Sequence, residues 1–149
     1  MNPFDIKAAL FAKHAQHVVL VHFPIALFIT GVIFDFLAQS VRRRALAVAA
    51  YYNLLGAAIA AVPVVATGLL AWQFQLEGQK LKGILLIHLS LGITSAALMG
   101  IVWALHQRAR KHPEAERPVL RLALEIAAVA IIGVTGHLGG FLSGVNGPN

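Results

Sequence analysis

Cysteine is absent from the 149 residues. That excludes disulfides, iron–sulfur clusters, thiolate-ligated metals and covalently attached c-type haem, so any metal or cofactor must be held by nitrogen and oxygen donors. Charge is scarce too: Asp, Glu, Lys and Arg make up 12% of the chain, against about 25% of a soluble domain. Mean hydropathy is +0.76, and the chain reads as an all-α integral membrane protein. No GxSxG elbow, HExxH, phosphate loop or pair of carboxylates in one apolar cleft is present, which leaves a hydrolase or kinase without support. The start, MNPFDIKAALFAKHAQH, has no compact apolar core followed by a small-residue cleavage site. No removable signal peptide is expected there; the first span serves as its own insertion signal.

What is present is apolar sequence in long runs. Four stretches reach the roughly 20 residues that a hydrocarbon core requires: Val18 to Ala38, Ala45 to Trp72, Gly83 to His106 and Val119 to Leu142. Short polar linkers force neighbouring helices antiparallel, which predicts one four-helix membrane bundle formed by residues 1–149. Pro63 predicts a kink in the second span, and Pro24, one turn into the first, is less disruptive. No internal repeat is evident. The glycine-rich end, GHLGGFLSGVNGPN, is expected to fray after Leu142.

The pI of 10.4 does not point to nucleic acid, because the basic residues cluster between apolar runs, where they set orientation. Arg42, Arg43, Arg44, Arg108, Arg110, Lys111, Arg117 and Arg121 fall at one face, and Lys7, Lys13, Lys80 and Lys82 at the other. The positive-inside rule makes the arginine-rich face cytoplasmic, with both termini periplasmic in a bacterial inner membrane. Tyr51, Tyr52 and Trp103 near one boundary and Trp72 near the other fit an aromatic belt. Phe4 to Lys13 has the pattern of a short amphipathic surface helix.

On this topology three histidines share one depth. His22 lies about one turn into span one, His88 about one turn into span three, and His137 about one turn before the end of span four, at 1.5 Å rise per residue. Imidazole in hydrocarbon is costly unless paired or bound, so these rings are candidate ligands. His14 and His17, just before span one, can add to them, with His17 the reserve ligand. His106 and His112 fall by the basic loop and read as ordinary solvated residues.

Small residues accompany the candidate ligands. His88, Gly92, Ala96 and Gly100 form one stripe; Ala130, Gly133, His137 and Gly140 form another; His22 is followed by Ala26 and Thr30. Such faces suit a flat macrocycle, although small-xxx-small stripes also pack helices with no cofactor. Imidazoles from facing helices can hold haem iron. The alternatives are a copper or zinc ion held by three imidazoles, cross-helix hydrogen bonding as glue, and a proton or quinone site. Asp35 and Glu125 lie near the arginine-rich face, far from this layer, and are expected to pair with Arg42 to Arg44 or Arg121. A proton-uptake role is the alternative for these acids. The hydroxyls of Ser90, Thr94 and Ser95 read as bonded back to their own helix.

HVVLVHFPIALFITGVIFD (His17 to Asp35), His88 early in span three, and GHLGGFLSG (Gly136 to Gly144) together resemble the small bacterial membrane proteins grouped as domain of unknown function 2231. The resemblance covers nearly the whole chain and implies four helices and an electron-transfer neighbourhood, since similar proteins occur alone or beside cytochrome c modules.

The combined expectation is a b-type cytochrome-like subunit of a respiratory or photosynthetic complex in the lipid bilayer. His22, His88 and His137, with His17 in reserve, bind one haem b or two near the periplasmic face. Electrons pass from quinol or a neighbouring membrane subunit to a periplasmic cytochrome c. This describes an electron-transfer subunit more than a stand-alone enzyme. The competing readings are a cofactor-free structural subunit that docks onto the helices of a larger complex, and a His-ligated metal-binding or transport protein. Transport is the weakest, because no span carries a polar stripe from face to face.

Overall fold

The computed structural model describes residues 15–75, 78, 80–115 and 117–144. The expected surface helix at Phe4 to Lys13, His14 and the tail beyond Gly144 lie outside the described residues. Among those described there is no strand. Helices α1 (Ala15–Leu20) and α2 (His22–Val41) form the first span, α3 (Arg44–Leu70) with a π-turn at Ala71–Gln75 the second, α4 (Gly83–Lys111) the third and α5 (Pro118–Leu142) the fourth. All four are long and apolar enough to cross a membrane. Together they form an antiparallel four-helix bundle.

Local chemistry explains the irregularities. Pro24 has no N–H, so the Leu20 carbonyl lacks its usual partner, and the first span is broken into α1 and α2 at Val21, which itself still donates to His17 O at 3.0 Å and accepts from Ile25 N at 3.4 Å. Helix α3 runs on through Pro63. Spans one and two are joined by only Arg42 and Arg43, and Arg42 takes a left-handed conformation at φ 53° to make so short a turn. The third span continues to Lys111, five residues beyond the expected end at His106, which changes the setting of that histidine.

Phe28, Val32, Leu54, Ala57, Ala61, Met99, Val102, Ala128 and Ile132 form the apolar core. It occupies the middle and arginine-rich part of the bundle. Towards the opposite end, beyond Pro24, Ala61, Ser95 and Ile132, only Ala71 is buried among the described residues. Large apolar side chains cover the outside instead, among them Val62 at 69% exposure and Ile59 at 63%, as a lipid-facing surface requires. Tyr51 departs from the expected belt. It is buried, donates to Gln107 Oε1 at 2.7 Å and lies under the Arg110 guanidinium, whereas Tyr52 is exposed.

The structure overturns the absence of a repeat. The buried positions of the third span, Ser95, Met99, Val102 and His106, each fall 71 residues after a buried position of the first: Pro24, Phe28, Gly31 and Asp35. Those of the fourth span, Glu125, Ala128 and Ile132, fall 71 after Leu54, Ala57 and Ala61. The chain is thus two helical hairpins in the same orientation, as in repeats related by an axis along the membrane normal. Equivalent positions share burial but seldom chemistry, which is why the sequence hides the repeat.

The first and second spans pack most extensively, and Gly31 permits their approach: a Cβ there would lie 2.8 Å from Leu54 Cγ and 3.3 Å from the Leu54 backbone nitrogen. Gly31→Ala is expected to destabilise the bundle by about 1–3 kcal/mol. Gly133→Ala, where a Cβ meets nothing within 4 Å, should leave the thermal unfolding midpoint in detergent unchanged.

Candidate functional site

The bundle carries a polar layer at each end. At the end opposite the arginines, His17 donates from Nδ1 to the carbonyl of Val64 at 3.1 Å, with Thr67 Oγ1 at 3.3 Å. Its ring lies on Gly68, where a Cβ would stand 2.9 Å from Cε1. His88 repeats this in the second hairpin: Nδ1 donates to the Thr135 carbonyl at 3.0 Å, and the ring lies on Gly139, whose Cβ would stand 3.0 Å from Cε1. All three participants obey the same offset, His88 coming 71 residues after His17, Thr135 after Val64 and Gly139 after Gly68. A carbonyl can only accept, so Nδ1 of each ring carries hydrogen, and in the neutral His88 ring Nε2 holds the lone pair. Thr135 is fixed in turn by Ile131 and Ser95. Of the three hydroxyls expected to bond back to their own helix, Thr94 does so, to Ser90 O at 2.8 Å.

The other two expected ligands are placed differently. His22 is exposed on α2. His137 is exposed on α5, its ring edge-on to Phe141 at 5.0 Å. His88 is half-buried, and the structure brings it against α5 rather than into a common cluster with His22 and His137. The glycines beside these rings border open space: a Cβ on Gly92, Gly100, Gly133 or Gly136 would meet nothing within 4 Å. These glycines are therefore not consumed by packing within the chain, whereas Ala96, between Gly92 and Gly100, packs against the core.

The second layer lies towards the arginine-rich end. Asp35, 2% exposed, accepts from Arg121 Nη2 at 2.8 Å and 3.0 Å through its two oxygens, and from Gln39 at 2.6 Å. His106 Nε2 lies 2.6 Å from Glu125 Oε1 in a pair that is almost wholly inaccessible. Donor atoms of Asp35, His106 and Glu125 all fall within 4.8 Å of one another, the sole grouping of three such residues among those described. The expected pairing of Asp35 with Arg121 is present. Glu125 instead takes His106 as its nearest partner, with Arg121 Nε at 3.8 Å.

The expectation for His106 needs correction, because at 5% exposure it is buried. The error came from ending the third span at this residue; with five more helical residues following, its ring faces Glu125. The spacing of Arg121 and Glu125, one turn apart on an apolar span, was the available signal. His112 is exposed, as expected, 3.4 Å from Glu114.

Four membrane-spanning helices with an ionisable layer at each end define a small polytopic membrane protein. The chain belongs to the family described as predicted membrane protein (DUF2231), whose profile matches residues 13–147. No curated protein and no solved structure matches the chain.

Arg121→Met leaves the Asp35 carboxylate buried without its guanidinium and is expected to cost about 3–5 kcal/mol, whereas Asp35→Leu combined with Arg121→Met should recover most of that loss. Unfolding midpoints of the single and double variants in detergent, compared as a mutant cycle, check this.

Proposed function

We propose that the protein is an electron-transfer subunit that binds b-type haem at the end of the bundle opposite the arginines. The observation that carries this reading is the paired setting of His17 and His88. Each ring is locked by an Nδ1–H bond to a carbonyl of the next span and seated on a glycine. A hydrogen bond of this kind fixes tautomer and ring plane and raises the basicity of the other nitrogen, as ligating histidines require. The donor set fits haem b, which needs nitrogen ligands and no cysteine. The open glycine surface of spans three and four fits a planar group.

His88 is the principal ligand in this reading and His17 its equivalent in the other hairpin. His22 and His137, exposed beside the open surface, serve a second haem or one shared with a neighbouring subunit. Bound haem supplies a reversible one-electron centre. The protein's part is to hold imidazoles at set orientation, to present small residues to the ring, and to exclude water by the surrounding apolar helices. We place the arginine-rich end in the cytoplasm of a bacterial inner membrane and both termini in the periplasm, by the distribution of basic residues. Quinol or a neighbouring subunit is then the donor and a periplasmic cytochrome c the acceptor.

One observation favours a second reading. Glycine faces that border open space also fit the helix of another subunit, which would make the chain a cofactor-free docking subunit. A purified protein with no Soret absorption in either redox state would favour that reading over ours.

His88→Ala is expected to lower haem content by more than about tenfold, since even indirect ligand support is worth 10–100-fold in affinity. His112→Ala should retain it, and equal haem in both variants removes His88 as a ligand. A reporter fused after Asn149 should be active only outside the cytoplasm; activity inside inverts the topology.

A further inference from the structure

We propose that Asp35, His106, Arg121 and Glu125 form a proton-binding site, in which one exchangeable proton is held between His106 Nε2 and Glu125 Oε1 and is drawn from the arginine-rich face. The proposal does not depend on haem.

The first argument is charge. Two carboxylates and one guanidinium leave this buried layer with one net negative charge, and an uncompensated charge in a low-dielectric interior is strongly disfavoured. One added proton restores neutrality. Geometry says where it resides. Both oxygens of Asp35 already receive Arg121, and one also receives Gln39, so Asp35 is the settled anion. At 2.6 Å, His106 Nε2 and Glu125 Oε1 must share a hydrogen, because two lone pairs facing each other at that distance would repel. Glu125 Oε2 is buried with no hydrogen-bond partner. An orphaned oxygen is tolerable in a neutral acid and costly in a carboxylate.

The second argument is the repeat. The position equivalent to Glu125 in the first hairpin is Leu54, and both are 0% exposed. The fold accepts an apolar residue there, so packing does not call for the carboxyl. Asp35 and His106 are themselves equivalent positions, and a proton-sharing layer arises where the two hairpins differ.

The third argument is access. Arg121 clamps Asp35 on one side and on the other lines a cleft of about 490 Å³ at the arginine-rich end, together with Arg108, His112, Glu114 and Arg117. His112 and Glu114 are exposed there, so the cleft is open to water. Around the layer the first span contributes Asp35 and Gln39, the third His106, and the fourth Arg121 and Glu125. On the second span, Tyr51 is engaged by Gln107 and Arg110. A divalent cation in the same place would have to displace Arg121 from Asp35 and would reverse the charge imbalance.

The test uses the full chain in lipid nanodiscs. A pH titration is followed by infrared absorption of the protonated carboxyl and by nitrogen NMR of imidazolium, which together detect the proton on either partner. One proton per chain is expected to leave reversibly within the folded range, and the signal should disappear in Glu125→Gln and persist in Glu77→Gln. Should Glu125→Gln not fold, Glu125→Leu, copying Leu54, carries the same expectation. A signal that does not respond to pH, or that survives removal of Glu125, overturns the proposal. So does stoichiometric binding of manganese or zinc, added as the metal alone, that is abolished in Glu125→Gln.

Discussion

The Arg121–Asp35 ion pair closes the bundle. The first and fourth spans make far fewer contacts with each other than the first and second do, and in hydrocarbon little hydrophobic force exists to bring them together. A guanidinium held at 2.8 Å and 3.0 Å on a carboxylate 2% exposed supplies the directional contact that apolar packing does not. The adjoining His106–Glu125 bond joins the third span to the fourth. Three of the four helices are therefore held together by one buried polar layer, and the core of Phe28, Leu54, Met99 and Val102 forms around it.

The repeat gives that layer its meaning. Two hairpins of the same orientation bury equivalent positions, and both seat an imidazole on a glycine beneath a carbonyl of the next helix. Equivalence of shape persists at the histidine end, where His17 matches His88. It breaks at the arginine end, where Asp35 matches His106 and Leu54 matches Glu125. A symmetric backbone with asymmetric side chains can hold two similar imidazole sites at one face and a single ionisable site at the other. If electrons are handled at one face and a proton at the other, about 30 Å of hydrocarbon separates the two, and coupling between them would run through the core.

The spans were legible in sequence because hydropathy over about 20 residues reflects a solvent constraint that no tertiary contact can override. Their ends were less so. Helix α4 carries Arg108, Arg110 and Lys111 within its last turn, where cations suit the carbonyl end of a helix, and that polar stretch resembles a loop in a hydropathy reading. The misplaced end hid His106. The repeat was hidden for a different reason: what the equivalent core positions share is burial, and pairs such as Phe28 and Met99 or Ala61 and Ile132 differ in identity and size, leaving few common residues to align.

Composition, run length and the distribution of arginines by themselves determined that this chain forms four antiparallel membrane helices, with His17, His22, His88 and His137 towards one end and Asp35 and Glu125 towards the other. Those properties depend on transfer from water and on charge at the interface, which are sums over residues. Which polar groups meet was decided only by tertiary structure. Helix rotation and the 71-residue correspondence set His106 against Glu125, Arg121 against Asp35, and His17 and His88 against Gly68 and Gly139. A side chain's depth can be counted along a helix, but its partner depends on the azimuth of two helices at once, and packing alone sets that.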